Sequence, residues 1–489
     1  MDGGAFRDAG HRLVDQIAEL LDSLPARSVT TEQSPSSIRE ALNLNGPLPE
    51  EGTDPATLLA DLPRQLFDHS LFNAHPRFFG YITAPAAPIG ILADFLASAL
   101  NANVGAWRLG PAATEIETQT ARWIAELIGY PSNCGGLLVS GGNMANIVCL
   151  LAARAARAGW DVRTNGVSPV GGRKLMVYGS AETHTWIQKA ADVAGIGTNA
   201  IRWIETGPHL RMDVSALTRA IDDDLASGCV PFCVIGTGGS VSTGAVDPLP
   251  EISALCREKN IWFHVDGAYG GFAAAVPEAP DALRALAHAD SVAIDPHKWL
   301  YAPLEAGCAL VRNEQALREA FSYHPPYYHF AEQATNYVDL GLQNSRGFRA
   351  LKVWLALRHA GAAGYRRMIS DDILLSRAMA GGVRAHATLQ LVTQDLSITT
   401  FRYVPPDLRS TLGEESTERY LNELNEALLD RVQRSGEAFV SNAVVHGRYV
   451  LRACIVNFHT ERQDVEALLE IVARFGRKLD RERRPASMN

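Results

Sequence analysis

The chain has 489 residues, with 45 Lys and Arg against 54 Asp and Glu, so its formal charge is −9. Hydrophobic residues make up 47% and charged residues 20%, the mix of a globular core and not of a disordered chain. The acidic balance argues against the basic footprint of a nucleic-acid protein. No apolar run reaches the ~20 residues of a membrane helix, and the first residues lack the basic and apolar regions of a signal peptide.

Residues 5–25 predict an amphipathic helix: Leu13, Val14, Ile17, Leu20, Leu21 and Leu24 fall at helical spacing, and Pro25 ends it. Its apolar stripe must pack on another surface, either a partner subunit or its own domain. A Pro- and Gly-bearing stretch follows, from Ser34 to Pro49. From about residue 76 to 310, short apolar runs alternate with helical stretches. Gly135–Ser140 leads into a helix over Asn146–Ala156, and Lys174–Tyr178 into one near Thr185–Ala194. Val230–Ile235, Ile261–Val265, Ser291–Ile294 and Cys308–Val311 continue the series. Strands separated by helices are βαβ units, which build a mostly parallel sheet with helices on both faces. Residues 320–345 are aromatic, His-rich and Pro-bearing without a period, which favours an ordered or gating loop, and Gly347–Ala360 reads as a helix. From about 385 the pattern becomes α+β. Strands are expected at 389–392, 396–403, 439–440 and 449–456, with helices at 417–435 and 465–479. The expected division is an N-terminal helical segment over 1–75, a large domain over 76–370 and a small C-terminal domain over 371–489.

The seven cysteines, at 134, 149, 229, 233, 256, 308 and 454, are odd in number with one close pair. They read as reduced, mostly buried thiols of a cytoplasmic protein. The paired Cys/His spacings of a zinc site are missing, so no metal is expected.

Four short segments carry chemistry. In Val139-Ser-Gly-Gly-Asn-Met-Ala-Asn146, at a strand-to-helix junction, glycines let backbone N–H groups approach an anion, and the helix N-terminus adds partial positive charge. Taken alone, this motif reads better as a tight turn. In His264-Val-Asp-Gly-Ala-Tyr-Gly-Gly271, Asp266 stands at the end of a buried strand, where open α/β sheets bind ligands and where a carboxylate needs a cationic partner. In Ser291-Val-Ala-Ile-Asp-Pro-His-Lys-Trp299, Lys298 follows an apolar strand, and burial makes such an amine nucleophilic toward carbonyls. Glu182-Thr-His184 adds an imidazole that alone would read as a cap or core residue. Together, an anion cradle, a buried carboxylate, a Schiff-base lysine and a flat imidazole fit pyridoxal 5′-phosphate (PLP). NAD fits poorly, because no G-x-G-x-x-G follows a strand.

On these residues the chain resembles the PLP-dependent group II amino-acid decarboxylases, which include aromatic-L-amino-acid, histidine and glutamate decarboxylases. The signature around the family's PLP lysine matches Ser291, Val292 and Lys298, followed by Trp299. The resemblance extends over nearly the whole chain, through His75–Tyr81, Trp107 with Pro111–Glu117, Thr243–Pro248, Asn344–Lys352 and Leu428–Gly436. It implies a PLP-dependent transferase of fold type I: an α/β protein with a mostly parallel seven-stranded sheet and a smaller α+β C-terminal domain. It also implies a homodimer with interfacial active sites, wrapped by the N-terminal segment. By resemblance, Lys298 binds the cofactor aldehyde, Asp266 pairs with the pyridine nitrogen, Ala268 lies under the ring and His184 stacks on its other face. Gly142 and Asn143 bind the phosphate, and His297 and Asp295 help hold the cofactor, with Asn in many relatives at the latter place. Ser240 matches a Thr-rich stretch that touches PLP, with Val241 and Ser242 as the alternatives in register. The resemblance implies decarboxylation of an L-amino acid to its amine and CO2, with a loop tyrosine as proton donor. Counting from Arg346 reaches Tyr323, while the wording Pro325-Pro-Tyr-Tyr328 points to Tyr327 or Tyr328, of which Tyr328 is taken.

Tyr81, Trp107, Phe78 and Phe79 would make an aromatic substrate entrance, although aromatics are also ordinary core residues. Arg108 stands where aromatic decarboxylases carry a small residue, so it could instead pair with an acidic substrate or form a structural ion pair. The remaining alternatives are an aldehyde synthase and another fold type I lyase or aminotransferase.

Overall fold

The apolar runs pair into two sheets in the computed structural model, which describes residues 1–168, 172–324 and 334–486. In chain order the strands are β1 (Phe78–Phe79), β2 (Gly135–Val139), β3 (Leu175–Ser180), β4 (Ile201–Ile204), β5 (Val230–Thr237), β6 (Trp262–Asp266), β7 (Ser291–Ile294), β8 (Gly307–Val311), β9 (Leu389–Asp395), β10 (Ile398–Tyr403), β11 (Phe439–Val445) and β12 (Arg448–Cys454).

The larger sheet has seven strands in the order β2-β8-β7-β6-β5-β3-β4. β4, β3, β5, β6 and β7 pair in parallel, and β8 alone runs against both of its neighbours, β7 and β2. Strands β3, β6, β7 and β8 are buried at every position, as expected where helices cover both faces. This is the expected seven-stranded, mostly parallel α/β sheet. Because parallel strands are joined by crossovers of one hand, their carboxyl ends meet at one edge of the sheet, and the loops leaving them converge there. The smaller sheet has the order β1-β11-β12-β10-β9, with β1 parallel to β11 and β11 antiparallel to β12.

By internal contacts the chain forms two units, residues 82–377 with 393–398, and residues 1–81 with 378–392 and 399–489. The N-terminal residues therefore group with the C-terminal ones instead of standing apart as 1–75. The reason is local packing: Val29, Phe78 and Phe439 form one buried cluster, and the Val29 N–H donates to the Gly436 carbonyl at 2.8 Å. The N-terminal helix runs Gly3–Ser23, and of its residues Ala9 alone is buried.

Other differences have plain causes. β4, an edge strand of four residues carrying Arg202 and Trp203, is too short and too polar to signal itself. The helix expected from Asn146 begins at Gly142, because Gly141, at φ 123°, supplies its N-cap. The helix expected over Gly347–Ala360 starts at Ala350 and continues to Ala385 across a break at Gly361, whose φ is 65°. None of the seven cysteines is in a disulfide and five of them are buried, and among the described residues no helix is long and apolar enough to cross a membrane.

Candidate active site

The carboxyl ends of β2, β3, β5, β6 and β7 surround a cavity of ≈ 380 Å³ in the larger unit. Its wall brings together Gly142, Asn143, His184, Asp266, Ala268, Asp295, His297 and Lys298 from four separate loops.

β2 lies at the sheet edge, so its outward backbone groups need partners. They come from a buried ion pair. Glu117 Oε1 accepts the Leu138 N–H at 2.8 Å, and Arg346 Nη2 donates to the Leu138 carbonyl at 2.6 Å and to Glu117. The two motif segments around residues 117 and 346, far apart in sequence, thus clamp the strand that leads into the glycine turn. Gly141 is in the positive-φ region, and a Cβ on Gly142 would lie 2.7 Å from Asp295 Oδ2. The turn therefore admits only glycine, and it ends at the N-terminus of the helix Gly142–Arg157, where no side chain caps the first N–H groups.

Asp266 ends β6 and is 8% exposed. Its Oδ1 accepts the Ala268 N–H at 3.1 Å and its Oδ2 the Trp186 indole N–H at 2.7 Å. Behind it, His264 is fully buried, and burial lowers its pKa to about 4. Its Nε2 faces Asn146 Oδ1 at 2.7 Å and its Nδ1 faces Ser291 Oγ at 2.8 Å.

Lys298 follows β7, with its Nζ 2.9 Å from Asp295 Oδ2. The turn after it is pinned by Asp372, which accepts the Trp299 indole N–H at 2.8 Å and the Tyr301 hydroxyl at 2.9 Å. His297 Nε2 lies 3.7 Å from Asp295, and its Nδ1 donates to the Ala306 carbonyl at 2.6 Å. Burial lowers the His297 pKa. His184 stands at the rim, and its Nδ1 accepts the Trp186 backbone N–H at 3.2 Å, which leaves the proton of the neutral ring on Nε2. Partial burial lowers its pKa as well.

Among the described residues, two buried polar atoms of the wall, Asp295 Oδ1 and Thr237 Oγ1, have no hydrogen-bond partner. Buried polar groups are normally satisfied, so they mark a place for a polar ligand. The same wall offers an amine, a held carboxylate and an uncapped helix start beside a glycine turn. These residues fit PLP. Among the described residues no cluster of His, Cys, Asp or Glu is arranged to hold a metal ion.

Some expected residues fall elsewhere. Ser240 is buried and turned into its own loop, 3.1 Å from Thr243 Oγ1 and 3.3 Å from Ser242 Oγ; Thr237, Gly239 and Val241 line the cavity instead. Trp107 and Arg108 sit on the turn Trp107–Leu109, outside the cavity wall. Trp107 is held there because its indole donates to Glu115 at 2.8 Å. Arg108 is exposed, without an ion pair among the described residues. Tyr81 belongs to the smaller unit, is 60% exposed and leans on Phe439. Tyr323 lies under the Arg163 guanidinium, 4.0 Å from its ring centre, while Tyr327 and Tyr328 lie outside the described residues. Sequence reasoning missed Trp186, Thr237 and Glu182, the last of which accepts a hydrogen bond from Ser242 Oγ.

Residues 35–404 match the model of the pyridoxal-dependent decarboxylase conserved domain. The chain belongs to the pyridoxal-dependent decarboxylase family. It is a PLP-dependent amino-acid decarboxylase, and its cofactor is PLP. The decarboxylase is 35% identical over 472 residues to an aromatic-L-amino-acid decarboxylase of Bacillus atrophaeus, covering 96% of this chain and 94% of that one. It is 31% identical over 484 residues to a phenylacetaldehyde synthase of a Rosa hybrid cultivar, covering 96% and 94%. Among solved structures it superposes on Oryza sativa TDC with PLP and tryptamine at a TM-score of 0.90 and 27% identity, over 98% of this chain and 99% of that one.

Proposed function

We propose that the decarboxylase acts on an aromatic L-amino acid and releases CO2 and the corresponding amine. Near full-length similarity to an aromatic-L-amino-acid decarboxylase carries this reading, and the charge of the cavity supports it. The described wall holds the carboxylates Glu182, Asp266, Asp295 and Glu305 against one lysine and two histidines, with no arginine. A second carboxylate on the substrate would be repelled there, and Arg108 stands outside the wall, so an acidic substrate is disfavoured. Aldehyde formation is the second reading, because the Rosa relative bears that activity in its name.

In this reading Lys298 supplies the amine that holds the cofactor aldehyde, and the glycine turn with Asn143 holds the phosphate. Asp295 and His297 would help hold the cofactor. Asp266 would face the ring nitrogen, and neutral His184 would stack on the ring. PLP held there would supply an electron-withdrawing ring, the chemistry that cleavage of the bond between Cα and the carboxylate needs. A loop tyrosine, taken as Tyr328 by resemblance to the family, would deliver the proton to Cα after CO2 has left.

The same reading makes the protein a cytoplasmic homodimer. Phe6 and Val14 on the helix Gly3–Ser23, and Leu58, Leu62 and Leu66 on the helix Pro55–Asp68, are exposed apolar residues that a second copy would cover. The test is incubation of the PLP-loaded protein with each proteinogenic amino acid, reading released CO2 and amine. Release from Trp, Tyr or Phe supports the proposal; release from Glu or Asp alone overturns it.

A further inference from the structure

One residue of the cavity wall holds two of the groups beside it. Trp186 opens the helix Trp186–Val193, two residues after His184, and is 1% exposed. Its backbone N–H donates to His184 Nδ1 at 3.2 Å, and its indole N–H donates to Asp266 Oδ2 at 2.7 Å, across 80 residues of sequence. The indole is seated in turn. It meets the His264 ring edge-on, with centroids 5.8 Å apart at 86°, and His264 is held by Asn146 and Ser291.

We propose that Trp186 is a positioning residue for the cofactor: its two N–H groups fix the Asp266 carboxylate and the His184 ring in the orientations in which they meet PLP. The proposal rests on the reading that Asp266 faces the ring nitrogen. An aspartate at a strand end can rotate about two side-chain bonds. With Ala268 N–H on Oδ1 and Trp186 N–H on Oδ2, both oxygens are held and the carboxylate plane is set. Each oxygen keeps a further acceptor site, so one remains for the ring nitrogen. The backbone N–H of Trp186 fixes the His184 tautomer.

A core-filling role would depend on the shape of the indole and not on its N–H, and this separates the two accounts. PLP binding to the apoprotein is titrated for the natural protein, Trp186→Phe, Asp266→Asn and the double variant, with the visible band of the bound cofactor recorded alongside. The expected result is at least tenfold weaker PLP binding and a displaced band for Trp186→Phe. In the Asp266→Asn background, the Phe substitution should add less than a twofold further loss. Site-specific replacement of Trp186 by benzothienylalanine keeps the size and flatness of the ring but puts sulfur in place of N–H. It should reproduce the loss, and it carries the test if the Phe variant folds poorly. Natural affinity in the benzothienylalanine protein, or an equal fold-loss from Phe in both backgrounds, would overturn the proposal. If Asp266→Asn alone leaves affinity and band unchanged, the reading of Asp266 fails and the positioning role fails with it.

Discussion

Asp266→Asn should leave a folded protein with little decarboxylation. The comparison with Asp266→Ala explains the choice of variant. In the Ala variant the buried Trp186 indole N–H and the Ala268 N–H both lose their acceptor. Each unsatisfied buried donor costs about 1–3 kcal/mol, or roughly 2–6 kcal/mol together, against a typical whole-protein margin of about 5–15 kcal/mol. Loss of activity there would be mixed with loss of fold. The Asn side chain keeps the shape and one acceptor oxygen, but not the charge. A hydrogen bond to a charged group contributes about 1.5–3 kcal/mol, so its removal at the ring nitrogen predicts a roughly 10- to 150-fold fall in rate. The assay is CO2 release at saturating PLP and substrate, with a urea unfolding curve on the same preparation to show that the fold is retained. A fall of less than about tenfold, or ~1.4 kcal/mol in barrier, in a fully loaded and folded variant would refute the role given to the carboxylate.

Buried His264 should make stability depend on pH. Its pKa is about 4 in the fold against 6.5 in the unfolded chain, so between these values the unfolded chain binds the extra proton. Its contribution is complete above pH 6.5 and is lost as pH falls through 4, by roughly 3 kcal/mol. Asp247, whose carboxyl burial pushes up to about 6, has the opposite slope, so the test is the difference between natural protein and His264→Gln. Urea midpoints at pH 7 and 5 should fall less in the variant; an equal fall in both would contradict the assignment. Tyr328→Phe should slow amine formation and raise the share of aldehyde, with Tyr323→Phe and Tyr327→Phe as controls. A shift in one of the controls alone would move the proton donor to that residue, and no shift in any of the three would remove the loop tyrosine from the mechanism.

The parts of this molecule that the sequence makes legible are those governed by local rules. The apolar runs at 175–178, 230–235, 262–265 and 291–294 are strands because buried parallel strands read as continuous hydrophobic stretches. The residues leaving their carboxyl ends are the cavity wall, because the topology brings those ends together. What could not be read are pairings set by the third dimension. Nothing local links Trp186 to Asp266, or Glu117 to Arg346 across 229 residues. Ser240 and Val241 differ by one step in register, and that step decides which side chain faces the cavity and which folds into its own loop. Trp107 has the composition of a binding residue, but its indole is bound to Glu115 instead.

Lys298 is the one lysine in the described cavity wall, 2.9 Å from Asp295, and the cofactor aldehyde must meet it there. Borohydride reduction of the PLP-loaded protein, followed by proteolysis and mass spectrometry, tests it directly. The expected result is a phosphopyridoxyl group on the peptide that carries Lys298, and none in Lys298→Ala. The same modification on another lysine, or its persistence in Lys298→Ala, would contradict it.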